Sequence, residues 1–458
     1  MRPGYEPAWE TLGLAACYDL ELDLSLAPPD YTGTVQVTFA NLTGQALPDL
    51  VFRLYPNAER IYGGDLQVSS SRVDGMPVEA EVFLPDRTAL RLSLANPLSP
   101  GEITVVELEF SGVVPVDRAG QTGVYGTFNY DSAGEVLVLA NGYPILATYE
   151  DGGWRADPVV GIGDAVVSET ALYHVQVAAP PGWQVAATGV QAPESTGETP
   201  PFEFFSGPVR EFILAGSPNF VEEQVQVNGV QVRHWGLPDG EDRWEAALQA
   251  AVDSIALFDE RFGSYPYREL DVVAVPLWQA AGVEYPGLVL LRQVLYLSGP
   301  DNSPGLEYVV AHEVAHQWWY GVVGNDVLEH PWQDEALATY SALLYQEEYQ
   351  AEAYAGTLRF YRGRVEELEA GESETGVDQP VEAFQNNPGA YSPVVYLKGS
   401  LFFDDLRERL GDETFFRALQ SYYAQHAYGL PPPQALLDAF EGACRCSLDA
   451  VYQEWGVK

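Results

Sequence analysis

Residues 312–316 read His312-Glu313-Val314-Ala315-His316, and this pentad decides how the second half of the chain is read. Histidines four apart share one face of a helix, so both imidazoles can grip one ion, while Glu313, one step round, can reach water at that ion. The helix is predicted to open at Ser303-Pro304, a capping serine with proline at the first helical position, and to end at Gly321. A catalytic zinc takes three protein ligands and keeps one position open. Glu335 is the third, separated from His316 by eighteen residues and opening a predicted helix, 335–349, whose apolar face is Ala336, Leu337, Thr339, Tyr340, Leu343 and Leu344. Two neutral imidazoles and one carboxylate leave such a site net positive, which acidifies bound water. His174, His234, His330 and His426 lack a comparable partner and read as structural or exposed.

Outward from the pentad the periodicity changes. Tyr18, Leu20, Leu22, Leu24 and Leu26 alternate with polar residues, the period of a half-buried strand. Short runs at 34–39, 89–94, 104–110, 173–177 and 212–215 repeat the pattern between turn clusters, and 225–232 reads as a hairpin turned at Asn228-Gly229. From Trp244 the apolar residues fall at helical spacing through Leu248, Ala251, Ile255, Phe258 and Phe262, with Gly263 as the stop. A strand at 270–275, an extended segment at 283–291 and further helices follow, and 370–380 reads as a surface loop. The expected division is a β-rich N-terminal domain, 1–219, followed by a mainly helical catalytic domain with a small sheet, 220–458.

The chain has 458 residues, 47% of them hydrophobic, which is enough for two or three domains with a large core. Its 66 acidic residues against 23 basic ones give a net charge of −43 and argue against nucleic acid as a partner, because no basic footprint is visible. No apolar run is long enough to span a membrane. The stretch Leu14-Ala15-Ala16-Cys17 mimics a lipoprotein cleavage box, but Arg2, Glu6 and Glu10 occupy the place of its apolar core. The expectation is a soluble protein, cytoplasmic or extracytoplasmic after removal of a signal segment. Cys17, Cys444 and Cys446 cannot build a disulfide framework and are read as free thiols.

Beyond the pentad, the chain resembles the aminopeptidase N family of gluzincin metallopeptidases, which also contains the leukotriene hydrolase. Trp332-Gln333-Asp334-Glu335-Ala336-Leu337-Ala338-Thr339-Tyr340 is similar to the family's Trp-Leu-Asn-Glu-Gly-Phe-Ala-Thr-Tyr block, with Asp334 adding a carboxylate beside the metal. Ala281-Gly282-Val283-Glu284-Tyr285 resembles the family's Gly-Ala-Met-Glu-Asn edge strand, whose glutamate holds the free α-amine of a peptide; Glu284 is kept and Gly282 permits close backbone approach. Val395-Tyr396-Leu397-Lys398-Gly399 resembles the Tyr-x-Lys-Gly segment, whose tyrosine donates to the developing oxyanion. Tyr143-Pro144 stands where larger members carry Phe-Pro-Cys-Asp-Glu-Pro, and the resemblance is to a short form without the helical C-terminal domain.

The resemblance implies a β N-terminal domain and a thermolysin-like catalytic domain holding one zinc on His312, His316 and Glu335. Glu313 and Tyr396 would be catalytic, Glu284 and Gly282 would bind substrate, and peptides with a free N-terminus would be hydrolysed at their first residue. The rivals are an endopeptidase on the same scaffold, lipid-epoxide hydrolysis and a non-catalytic interaction scaffold.

Overall fold

The computed structural model describes residues 1, 15–25, 28–121, 123–193, 201–297, 305–371 and 376–457. Leu14, Leu26, the Ser303-Pro304 cap and Lys458 lie outside them. Residues 16–217 are built from strands. Ala16–Asp23 runs through the interior of an eight-stranded sheet, antiparallel to Asp30–Ala40 and parallel to Ala171–Ala178. Ile103–Val113 in the same sheet alternates buried and exposed side chains almost without interruption, as expected of a sheet wetted on one face. Two four-stranded sheets and a two-stranded one complete this half. One of them pairs Val136–Ala140 with Ile213–Ser217, setting Ala140 opposite Ile213.

The Asn228-Gly229 turn forms as expected, both residues at positive φ, and joins Val221–Val227 to Val230–Gly236. These strands begin a mixed five-stranded sheet continued by Glu269–Val275, Leu288–Arg292 and, at the edge, Gly282–Tyr285. The 283–291 segment is therefore a hairpin and not one extended run, because Gly287 (φ 76) reverses the chain and lets Glu284 pair with Val289. Val136, Val138, Ile213 and Ala215 of the β-rich half pack on Val273, Val275, Leu288 and Leu290 of this sheet. That contact sets a face of one sheet against a face of the other.

Trp244–Arg261 is a helix, stopped before Gly263 at φ +123, a conformation that favours glycine. The pentad ends the helix Leu306–Ala315, shorter than expected, with His316 as its C-terminal cap. The helix does not reach Gly321, because the carbonyls of His316, Gln317 and Trp318 accept from the amides of Gly321, Val322 and Val323, five residues on, around Tyr320 at φ 107. The next helix, Trp332–Tyr349, begins three residues before Glu335, and every residue from Trp332 to Gln346 is buried. Ala351–Gly371 extends helix into the start of the expected 370–380 loop. Further helices reach Trp455, and one contiguous apolar core runs from Tyr18 to Val457. The architecture is the β half followed by a mainly helical half that the sequence implies.

Cys444 and Cys446 are bonded to each other, which corrects their reading as free thiols. Cys444 ends its helix, Arg445 turns left-handed at φ 57, and the chain brings Cys446 back with its Cα 5.3 Å from that of Cys444. Cys17 is free and exposed. Among the described residues no helix is long and apolar enough to cross a membrane.

Candidate active site

The two halves meet at a cleft of about 1350 Å³. Buried Arg210 ties them: its guanidinium donates to the carbonyls of Tyr320 (2.7 Å) and Gly429 (2.5 Å) in the helical half, and to that of Ser168 (3.1 Å) in its own. Gly324 makes room for it, since a Cβ there would come 2.3 Å from the guanidinium carbon.

On the cleft wall, the Nε2 atoms of His312 and His316 lie 3.2 Å apart, and Glu335 Oε2 is 3.3 Å and 3.4 Å from them. Donors about 2.0–2.1 Å from a tetrahedral zinc stand roughly 3.3–3.4 Å from one another, so this triangle fits that ion. Glu335 Oε2 is also buried without a hydrogen bond of its own, an orphaned acceptor that a cation would satisfy. The Nδ1 of His316 faces the Trp319 carbonyl at 3.1 Å, which leaves Nε2 to face the ion.

Glu313 faces the edge strand across which substrate would lie. A Cβ on Gly282 would come 2.4 Å from its Oε1, so glycine there admits this carboxylate. Burial pushes Glu313 up to about 8 in the absence of a cation. Glu284, on the same strand and 7% exposed, turns its carboxylate into the cleft. One of its oxygens lies within 4.8 Å of a His316 nitrogen. Burial, then the nearby Asp164, raises its pKa.

Tyr396 comes from a π-helical turn, Pro393–Lys398, that leads into the helix Gly399–Leu410. Its hydroxyl donates to Glu335 Oε1, and its ring stacks against His312 at 5.9 Å. The rest of its motif is structural: Lys398 pairs with Glu369 at 2.8 Å, and Gly399 lets the turn pack on Ala336, where a Cβ would meet another at 2.5 Å. One Asp334 oxygen lies within 4.8 Å of a His316 nitrogen, and its Oδ1 accepts from Asn325 (3.0 Å) and from the amide of Glu335 (2.9 Å). It thereby braces the helix start that carries Glu335.

The other histidines lie away from this triangle. His174 bridges Asp19 (2.6 Å) and Glu203 (2.8 Å), His234 is buried against the Tyr296 hydroxyl (2.9 Å), His330 contacts Asp378 (2.7 Å), and His426 packs beside Tyr422. Sequence reasoning missed the cleft's contribution from the β-rich half, namely Tyr62, Asn141, Asp164 and Glu211. Neither spacing nor period marks them. The charged pair Arg210-Glu211 directly before the apolar run 212–215 is the one local oddity that could have drawn attention to Glu211.

The sequence profile of the peptidase family M1 domain matches residues 246–455. The chain is 22% identical to Aminopeptidase 2 of Candida albicans over 95% of its length and 47% of that protein's. It is 24% identical to Aminopeptidase M1 of Arabidopsis thaliana over 98% of its length and 51% of that protein's, so it spans about half the length of these curated relatives. Its fold is similar to that of an M1 zinc metallopeptidase from Deinococcus radiodurans, with a TM-score of 0.68 at 19% identity, over 97% of this chain and 94% of the other. Residues 246–455 thus match a peptidase family M1 domain, the part of the chain that carries His312, His316, Glu335, Glu284 and Tyr396.

Proposed function

We propose that this protein is a zinc-dependent aminopeptidase that removes the N-terminal residue of peptides, with His312, His316 and Glu335 as the metal ligands. The observation that carries the reading is the nearness of Glu284 to the donor triangle, one oxygen within 4.8 Å of His316. An ammonium held by Glu284 is two covalent bonds from the carbonyl carbon of its own residue, so the first peptide bond is the one that reaches the site.

A zinc ion held there supplies Lewis acidity, acidifying water and polarising a carbonyl. The remaining work falls to the chain. Glu284 selects and anchors the free amine. The edge strand Gly282–Tyr285 offers its unpaired side to an extended peptide, while Leu288–Arg292 occupies the other. Glu313 takes a proton from the attacking water and delivers it to the leaving nitrogen, a role suited to a carboxyl whose pKa is raised by burial. Tyr396, held near Glu335, donates its hydroxyl proton to the carbonyl oxygen as negative charge develops.

The test compares hydrolysis of one peptide with a free and with an acetylated N-terminus by the zinc-loaded protein. Release of the first residue from the free peptide alone is expected. Equal turnover of both, with cleavage inside the chain, would give the reading to an endopeptidase.

A further inference from the structure

The cleft holds more buried negative charge than the proposed reaction uses. Glu211 is 1% exposed, lines the cleft, and its Oε2 has no hydrogen-bond partner. Its sequence neighbour Arg210 does not neutralise it by contact, because all the hydrogen bonds of that guanidinium go to main-chain oxygens, of Tyr320, Ser168, Val322 and Gly429. Asp164 enters the same space from the loop beside Gly163, and its Oδ2 is likewise shielded and unpartnered. Among the described lining residues the only arginine or lysine is Arg364, which pairs with Glu367 at 2.5 Å.

A buried carboxylate with an oxygen left unpartnered is costly, and a cationic ligand removes that cost. Glu284 would take the α-ammonium of a substrate. That leaves Glu211 and Asp164 for a second positive charge on the same residue. The packing of Val136–Ala140 and Ile213–Ser217 on the five-stranded sheet brings Asn141 and Glu211, at the ends of those paired strands, to the cleft beside Tyr285. Tyr62 and Tyr285 add aromatic walls there, suited to the flat guanidinium or the alkyl stem of a long basic side chain.

We infer that Glu211, with Asp164, forms an acidic subsite that selects substrates whose N-terminal residue is arginine or lysine. This rests on the aminopeptidase reading and names its substrate class. Burial lifts the free Glu211 carboxyl to about 7, against the Asn141 amide and Arg210, so an incoming cation is what holds it ionised at neutral pH.

The discriminating pair is arginine and citrulline, alike in shape but differing in charge. The zinc-loaded protein should hydrolyse arginyl over citrullyl reporter amides by at least about tenfold in kcat/KM, the scale of one hydrogen bond to a charged group. In Glu211→Gln that ratio should fall towards one, and Asp164→Asn should reduce it in part. A ratio of one in the unaltered protein, or a ratio that Glu211→Gln does not move, overturns the inference. Calorimetry on zinc-loaded Glu313→Gln protein reads the subsite without turnover: L-arginine amide should bind at least about tenfold more tightly than L-citrulline amide, and equal affinities overturn the subsite. If neither reporter is hydrolysed but the affinities differ, the aminopeptidase reading falls and the cationic subsite stands.

Discussion

Gly282 backs directly onto Glu313: a methyl group at residue 282 would lie 2.4 Å from the Glu313 Oε1 and 2.5 Å from its Cγ and Cδ. The glycine of the edge strand thus serves the proposed general base as well as the substrate backbone. Gly282→Ala should displace that carboxylate and leave His312, His316 and Glu335 in place. The expected result is a fall in kcat of roughly 10- to 100-fold, the scale of a misplaced catalytic group, with zinc content unchanged by metal analysis. Full activity in this variant would mean that the Glu313 position is not critical.

Glu313→Gln keeps the size of the side chain and removes the proton acceptor. Steady-state kinetics should show a loss in kcat of at least ~10²-fold, while zinc stays bound because Glu313 stands outside the donor triangle.

For Tyr396→Phe, loss of the hydroxyl should lower kcat by about 10²–10³-fold if the residue donates to the oxyanion. The hydroxyl also contacts Glu335. Zinc affinity, measured by competition with a chelating dye, separates the two roles: a variant that loses affinity and keeps kcat at saturating zinc would make Tyr396 an orienter of Glu335.

Removing the metal should abolish hydrolysis and lower the thermal midpoint, because an ion that binds only the folded state stabilises it. Zinc restored at 100 times its dissociation constant contributes about 2.7 kcal/mol, readable by calorimetry independently of activity. A midpoint indifferent to zinc would argue against a resident ion on His312, His316 and Glu335.

Glu211 predicts a stability change that runs with pH. Its carboxyl stands at about 7 in the folded protein against an ordinary 4.5, so between those values the folded state keeps a proton that the unfolded state releases. Stability therefore falls as pH rises from 4.5 to about 7 and stays lowered above that. The deficit is roughly 3 kcal/mol at most. Glu211→Gln should unfold at higher denaturant than the unaltered protein near pH 8 and at about the same denaturant near pH 4. No gain near pH 8 would mean that Glu211 is not buried as a free carboxyl.

What could be read without the fold was what repeats locally or sits close in sequence. The strands of the β-rich half and the helix Trp244–Arg261 showed themselves by period, because one face of each meets the core and the other meets water. His312 and His316 are brought together by one helical turn, and Glu335, Glu284 and Tyr396 stand in short segments whose resemblance to a family carried their roles. The start of Trp332–Tyr349 was misjudged for the same reason in reverse, since a helix buried on all sides through Gln346 has no polar face to give it a period.

The amino-acid sequence by itself pointed to the proposed donor set and general base and to the order of a β half before a helical half, since these follow from residue type and spacing along the chain. Tertiary structure alone decided that Gly282 makes room for Glu313, that Cys444 and Cys446 join across a left-handed turn, and that Asp164 and Glu211 face the same cleft as Glu284. The physical reason is distance along the chain. Asp164, Glu211 and Glu284 meet only because two sheets pack face to face and Arg210 bonds to carbonyls of the helical half. An isolated Asp or Glu carries no sign of whether it will lie in water or in an apolar wall.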